Sequence, residues 1–480
     1  MTSYLPTAIT KPLARGTDVL RGAIGGMSWG PALSVSKAAV TSLLSRIEIG
    51  QLIINDETTG EIMIYGQKIA KEYSKKTNGV NGVNGVNGAK KTGGVRKVEV
   101  TVKKEAFWVR FFLFADMGFA EAYMLGDFEC ADLTGFFELF ILNRSQLANA
   151  TTLTSSIAAT ITGLARSTNT LSNSLLNVSA HYDISNEMFA AFLSDDMTYS
   201  CPIWKLASSA DEVEETLEEA QYTKLNRFID GARIKPTDHV LEIGTGWGSF
   251  AIEAVRKTGC RVTSLTLSIE QKALAEKRIA AAGFQDRIEV LLMDYRALPT
   301  PNVLYDKVVS IEMLEAVGRE YLETYFGCIH RVLKKDGIAV FQCITMPEGR
   351  YEAYAKGEDF IRKYIFPGGH LPSITQLVEN INKGSEGTLV VEKIENIGGH
   401  YAKTLRLWRE AFSRNFESRI KPALMIEHED MGEKEIEVFR KKWIYYFEYC
   451  AAGFATKTLG DVIITAGREG AMELMEGIPL

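Results

Sequence analysis

The sequence predicts an α/β protein, a doubly wound and mostly parallel sheet preceded by a smaller α+β domain. Three observations carry this. From His181 onward, strand-like apolar runs alternate with helical ones. One such run, Val240 to Ile243, ends in a glycine-rich turn that opens a helix. Ahead of residue 145, short stretches alternate apolar and polar residues around turns instead.

The 480 residues are too many for one ordinary core. We expect a first domain over 1–144, a linker over 145–180 and a second domain over 181–480. In the first, IEIGQLIINDETTGEIMIYG reads as a hairpin, and VRKVEVTVKKEAFWVRFFLF reads as a strand pair. Between them, 78–94 opens with NGVNGVNGVNG, which has no apolar face to bury and predicts a flexible surface loop. The linker is rich in Ser, Thr, Asn and Ala. DEVEETLEEA (211–220) predicts a solvated helix face ahead of the first strand. Helical signals return over 403–455.

Composition narrows the class. Hydrophobic residues at 46% and charged residues at 24% are those of a soluble globular protein. A net charge of −6 argues against a nucleic-acid binder. The six cysteines show no CxxC spacing, which predicts free thiols and no metal site. No apolar run is long enough to span a bilayer, and the N-terminus lacks a secretory core. The expected location is cytoplasmic, with organellar targeting left open.

The strongest single signal is DHVLEIGTGWGSFAIEAVRKTG (238–259). Gly244, Gly246 and Gly248 let the backbone turn sharply and approach a ligand at a helix N-terminus. A dinucleotide site wants G-x-G-x-x-G with an acid some way on; here the spacing is G-x-G-x-G, and the second strand offers Thr266, Ser268, Glu270 and Gln271. S-adenosylmethionine has no pyrophosphate and needs no such fingerprint, with Glu242 placed to meet its amino group. The turn alone leaves both cofactors open. DRIEVLLMDYRAL then ends a strand in Asp294 and Tyr295, an acid and an aromatic suited to adenine. The strands of DKVVSIEMLEAVG and LKKDGIAVFQCITM complete the Rossmann-like order of a class I methyltransferase.

Here a family resemblance becomes specific. HYDISNEMFAAFLSDDMTYSCPIW, LEIGTGWGSFA, LTLSIEQ, MLEAVGREYLETYF, RKYIFPGGHLPS and WIYYFEYCAAGF resemble, in order, the blocks of cyclopropane-fatty-acyl-phospholipid and mycolic acid cyclopropane synthases. They run from roughly residue 180 to 470. The first domain resembles the family's smaller domain weakly, mostly through MGFAEAYMLGDFECADL. The resemblance implies a catalytic domain over 181–480 and a lipid-facing accessory domain over 1–144. The implied reaction is methyl transfer from S-adenosylmethionine to a cis double bond in a phospholipid acyl chain, at a membrane surface. A carbocation forms, a bound bicarbonate ion removes a proton, and a cyclopropane closes. Possible homodimers also follow from the resemblance.

Carried over position by position, Glu315 matches the glutamate that orients bicarbonate, and Tyr401 its tyrosine partner. Cys201 and Ile344 match other residues of that pocket. Tyr199, Ser200, Gly244, Gly246, Thr266, Leu267, Gln271, Asp294 and Tyr295 match cofactor positions, joined by Glu242. Gln342 departs from the pattern by standing where the family has histidine. An amide can donate to an anion but cannot change protonation near neutral pH. That opens a methyl-branched or methylene product. The other readings are a sphingolipid methyltransferase of the same fold, or a non-catalytic lipid-binding homologue.

Single residues carry further expectations. Cys201 lacks a sequence-placed base and is read as a pocket residue rather than a nucleophile. His181 is read as a structural hydrogen-bonding residue near the cofactor. Glu312 and Glu315, three apart, could form an acid/base pair. Tyr401, Trp408, Trp443, Tyr445, Tyr446, Phe447 and Tyr449 are candidates for an acyl channel, where aromatic faces would favour a developing cation.

Overall fold

A computed structural model describes residues 29–66, 96–148, 185–206, 214–299, 303–428 and 431–479. The low-complexity stretch 78–94, most of the expected linker and His181 lie outside the described residues.

The first part of the chain builds helix α1 (Trp29–Leu44), strands β1 (Gln51–Asp56), β2 (Glu61–Tyr65) and β3 (Lys97–Val102), helix α2 (Ala106–Met124), β4 (Phe128–Cys130) and helix α3 (Leu133–Leu142). Their sheet runs β2-β1-β3-β4. The expected hairpin is present, with Ile53 opposite Ile64. Leu52 and Ile54 of β1, with Val98, Val100 and Val102 of β3, turn one face inward. Buried Asp56 ties that face to the helices: it accepts from Lys37 Nζ at 2.7 Å and from Trp108 Nε1 at 3.1 Å. The expected strand pair at 95–114 is corrected. Only Lys97–Val102 is a strand, and the chain turns helical from Ala106. Phe107 and Phe111, four apart, bring their rings together at 5.8 Å, and that spacing belongs to a helix; a kink at Ala115 then turns Phe119 back against both.

Helices α4 (Asn186–Phe192) and α5 (Leu217–Gly231) lead into the large sheet. Thr216 and Glu219 form a capping box at the start of α5, which fixes where the acidic run becomes a helix. Then come β5 (His239–Ile243), α6 (Ser249–Thr258), β6 (Arg261–Thr266), α7 (Ile269–Ala282), β7 (Ile288–Leu292), β8 (Tyr305–Ile311), α8 (Leu322–Val332) and β9 (Leu333–Thr345). After a helical excursion that includes α9 (Ile374–Gly384), β10 (Leu389–Asn396), α10 (Gly399–Asn415), α11 (Glu433–Ala455) and β11 (Gly460–Arg468) close the fold. The seven strands lie in the order β10-β11-β9-β8-β5-β6-β7. Strands β5 to β9 are parallel, as expected for a doubly wound sheet. β11 runs antiparallel to both its neighbours, and every residue of it is buried. The sequence reading stopped at the helices of 403–455 and did not anticipate β10 or β11.

The two parts share one apolar core. Leu52, Phe119, Phe137, Tyr445 and Trp443 belong to a single buried cluster. Phe137 sets its ring edge-on to Tyr445 and Tyr449 of α11, at 5.1 and 5.3 Å. Glu121 accepts from Lys363 and from the Tyr364 hydroxyl, and Glu448 accepts from the Thr134 amide. Among the described residues no helix is long and apolar enough to cross a membrane.

Candidate active site

The carboxyl ends of the parallel strands surround a cavity of about 830 Å³, in the usual range of roughly 300–1,000 Å³ for small-molecule sites. Its floor is the turn after β5. Gly244, Gly246 and Gly248 all have positive φ, at +100°, +52° and +87°. A Cβ on Gly244 would also meet the Met313 side chain at 2.9 Å. The Gly244 and Thr245 amides donate to the Leu265 carbonyl, which draws the turn across the top of β6.

All ten residues expected to hold the cofactor line this cavity. Thr266 donates to the Gln271 side chain at 2.9 Å. Leu267 is 73% exposed at the rim, an apolar side chain free to cover a planar group. Glu242 is buried beside β6, where Ser264 donates to it; burial pushes its carboxyl up to about 8. Asp294 lines the wall, but both of its oxygens are engaged by the Arg296 guanidinium, which holds its carboxyl below the usual range. Asp294 thus shares its acceptor sites with Arg296. A backbone cradle that a Cβ would fill, a buried acid and apolar flanks fit S-adenosylmethionine.

The expected anion pocket is arranged differently. Its donors converge on Glu312, which also lines the cavity. Glu312 Oε1 accepts from the Cys201 amide at 2.7 Å and from Gln342 Nε2 at 2.8 Å. Its Oε2 accepts from the Tyr401 hydroxyl at 2.8 Å. The backbone is pinned as well: Glu312 N donates to the Gln342 carbonyl, at a φ of +47° that non-glycine residues rarely adopt.

Glu315 stands apart. It accepts from the Ile344 amide at 2.6 Å, and its other oxygen is buried with no hydrogen-bond partner among the described residues. Burial, then the Glu312 charge, raise it to about 8. The expected pairing of Tyr401 with Glu315 gives way to Tyr401 with Glu312. Glu312 and Glu315 leave the same turn, but the positive φ of Glu312 sends its side chain toward Cys201.

Gln342 does act as a donor, but to two carboxylates. Its second contact is Asp461 Oδ2, at 2.8 Å. Asp461 is fully buried on β11, and burial with the neighbouring Glu312 charge pushes it well up. Burial raises Glu312 as well, but the Cys201 amide, Asp461 and the Tyr401 hydroxyl bond to it and work against that rise, so of the two acids Glu312 is the one whose ionised form is better held. Lys224 of α5 lies in the same wall, fully buried, and donates to Ser200 Oγ at 2.6 Å. The sequence reading missed Lys224 and Asp461; neither sits in a motif, and only packing brings them here. The Cys201 thiol is buried and its ionisation is pushed well up, which leaves its backbone amide as the useful group.

The aromatic expectation is also corrected. None of Tyr401, Trp408, Trp443, Tyr445, Tyr446, Phe447 and Tyr449 lines this cavity; its aromatic wall is Phe189, Tyr199, Trp247, Phe250, Tyr295, Tyr321 and Phe366. Trp408, Trp443 and Phe447 are fully buried between helices, where large aromatic surfaces contribute more to packing than they could in a channel.

Strand order, glycine cradle and acid-bearing strand ends define a class I S-adenosylmethionine-dependent methyltransferase fold. The chain belongs to the mycolic acid cyclopropane synthetase family, whose model matches residues 169–463. It is 41% identical over 295 residues to a tuberculostearic acid methyltransferase of Mycobacterium tuberculosis, a match that covers 61% of this chain and 65% of that one, just under two thirds. It is 31% identical over 385 residues to the cyclopropane-fatty-acyl-phospholipid synthase of Escherichia coli, covering 79% and 91%. A mycolic acid cyclopropane synthase crystallised with SAH and CTAB superposes with a TM-score of 0.51 at 29% identity, over 61% of this chain and 98% of that one.

Proposed function

We propose that the chain moves the methyl carbon of S-adenosylmethionine onto the carbon–carbon double bond of an unsaturated phospholipid acyl chain, at a membrane surface, to form a cyclopropane. One observation carries this reading: the glycine cradle and a donor-held carboxylate, Glu312, face one cavity. The cofactor supplies an electrophilic methyl group on a sulfonium. The chain supplies the rest. Gly244 and Gly246 let the backbone close around the donor, and Glu242 holds its amino group. Phe189, Tyr199, Trp247 and Phe366 exclude water and offer aromatic faces to a cationic acyl chain, each worth about 0.5–2 kcal/mol.

A second reading, a methyl-branched or methylene product, is favoured by Gln342 and by the relative named for tuberculostearic acid. The test is incubation with S-adenosylmethionine and unsaturated phospholipid vesicles, followed by lipid mass spectrometry. We expect a gain of one CH2 per modified chain. NMR of the product separates ring from branch, and no mass gain on any unsaturated lipid would defeat both readings.

A further inference from the structure

We propose that Glu312 is the internal base of this reaction, its carboxylate standing where a bound bicarbonate ion was expected. The inference rests on the methyl-transfer reading above and assigns the proton-removing step to a side chain of this protein.

The geometry points there in three ways. First, the Cys201 amide, the Gln342 amide and the Tyr401 hydroxyl are the donors that a small oxyanion at this place would need, and all three already end on Glu312 at 2.7–2.8 Å. A free anion would have to displace a side chain that is covalently fixed. Second, these three bonds put two on Oε1 and one on Oε2, which makes Oε2 the oxygen less engaged by them. Third, of the three clustered acids only Glu312 lines the cavity; Glu315 and Asp461 do not. The positive φ of Glu312 is strain held by its bond to β9, of the sort that gathers at functional positions.

The step balances. The alkene π pair forms a carbon–carbon bond to the methyl group while the carbon–sulfur pair leaves on sulfur. The acyl chain is left with a cationic carbon. Glu312 Oε2 takes one proton from the new methyl group, and the electrons of that C–H bond close the ring. The proton passes from Glu312 to solvent after product release. Gln342, unable to change protonation, works as a positioning residue that holds Glu312 between Cys201 and Asp461.

The experiment uses the full chain, unsaturated phosphatidylglycerol vesicles and S-adenosylmethionine, in buffer stripped of carbon dioxide and in buffer with added bicarbonate. The wild-type rate is expected to agree within about twofold between the two buffers. Glu312→Gln, nearly isosteric, is expected to fall about 100-fold in both, the lower range for loss of a general base. Its affinity for SAH by calorimetry should stay within about threefold, about 0.6 kcal/mol. Glu312→Gly relaxes the backbone and opens the donor-lined space; added bicarbonate or formate is expected to restore its rate about tenfold. In parallel, 13C NMR with labelled bicarbonate should show binding to SAH-loaded Glu312→Gly and none to SAH-loaded wild type. The proposal is overturned by a wild type that needs bicarbonate, by Glu312→Gln keeping more than about a tenth of the rate, or by equal labelling of wild type and Glu312→Gly. A wild type that transfers no methyl group defeats the transfer reading instead, and the NMR arm still decides whether Glu312 fills the anion space.

Discussion

The glycine cradle after β5 and the carboxylate cluster after β8 share one rim of one sheet, yet they are assembled differently. Around the cradle, several partners lie close by in sequence, as Thr266 with Gln271 and Asp294 with Arg296, and Glu242 reaches only to Ser264 on the adjacent strand. In the cluster, Glu312 is held by Gln342, Tyr401 and Cys201, thirty to more than a hundred residues away. The lesson is that binding and chemistry are separable here. A cofactor can be gripped by a local turn, whereas a charged base in a half-dry wall needs donors gathered from several elements.

The largest expected effect would break the cradle alone. Gly244→Val adds a branched side chain at φ +100° and against Met313. SAH affinity by calorimetry should fall at least about 100-fold, about 2.7 kcal/mol, in protein still folded at the assay temperature, with a lower melting temperature as well, because a β-branched residue is strained at that φ. Retained affinity would mean that the turn does not hold the cofactor.

Next, the buried acid beneath the cradle should report through pH. Glu242 has its folded value raised from 4.5 to about 8. Between those values the folded state holds a proton that the unfolded state has released, so stability falls as pH rises through this window. The cost is absent below 4.5 and complete above about 8. Thermal unfolding of the cofactor-free protein should therefore lose stability from pH 5 to 8, and Glu242→Gln should show a shallower loss. Parallel slopes for the two proteins would place the Glu242 carboxylate in a better-solvated setting.

The smallest effect sharpens the cofactor wall. Arg296→Ala removes the guanidinium from both Asp294 oxygens and leaves the residue 296 backbone amide on Oδ1. SAH affinity should change by no more than about threefold, about 0.6 kcal/mol, since the pair is exposed and such pairs are worth little. A larger gain, measured by the same titration, would show that Arg296 withholds Asp294 from the ligand.

Much of this was legible in the residues. The strand order β5 to β9 and the cradle came from short motifs, because each depends on neighbours within one strand–turn–helix unit, and the ten residues expected at the cofactor line one cavity. Reading 95–114 as two strands failed where Phe107 and Phe111 take helical spacing. Asp461 was invisible: a lone acid beside an apolar run looks like the edge of a strand until β11 is seen between β9 and β10. Glu312 was noticed only as one of two acids, and nothing in the spacing said which would receive the donors.

By itself, then, the amino-acid order determined a doubly wound sheet and the glycine turn at its rim, since glycine spacing and strand periodicity are local properties of the backbone. Which carboxylate faces the cavity, which acid keeps its proton and which aromatics become core were decided only by the folded chain. Those outcomes depend on burial and on hydrogen bonds between distant segments, and neither exists until the segments meet.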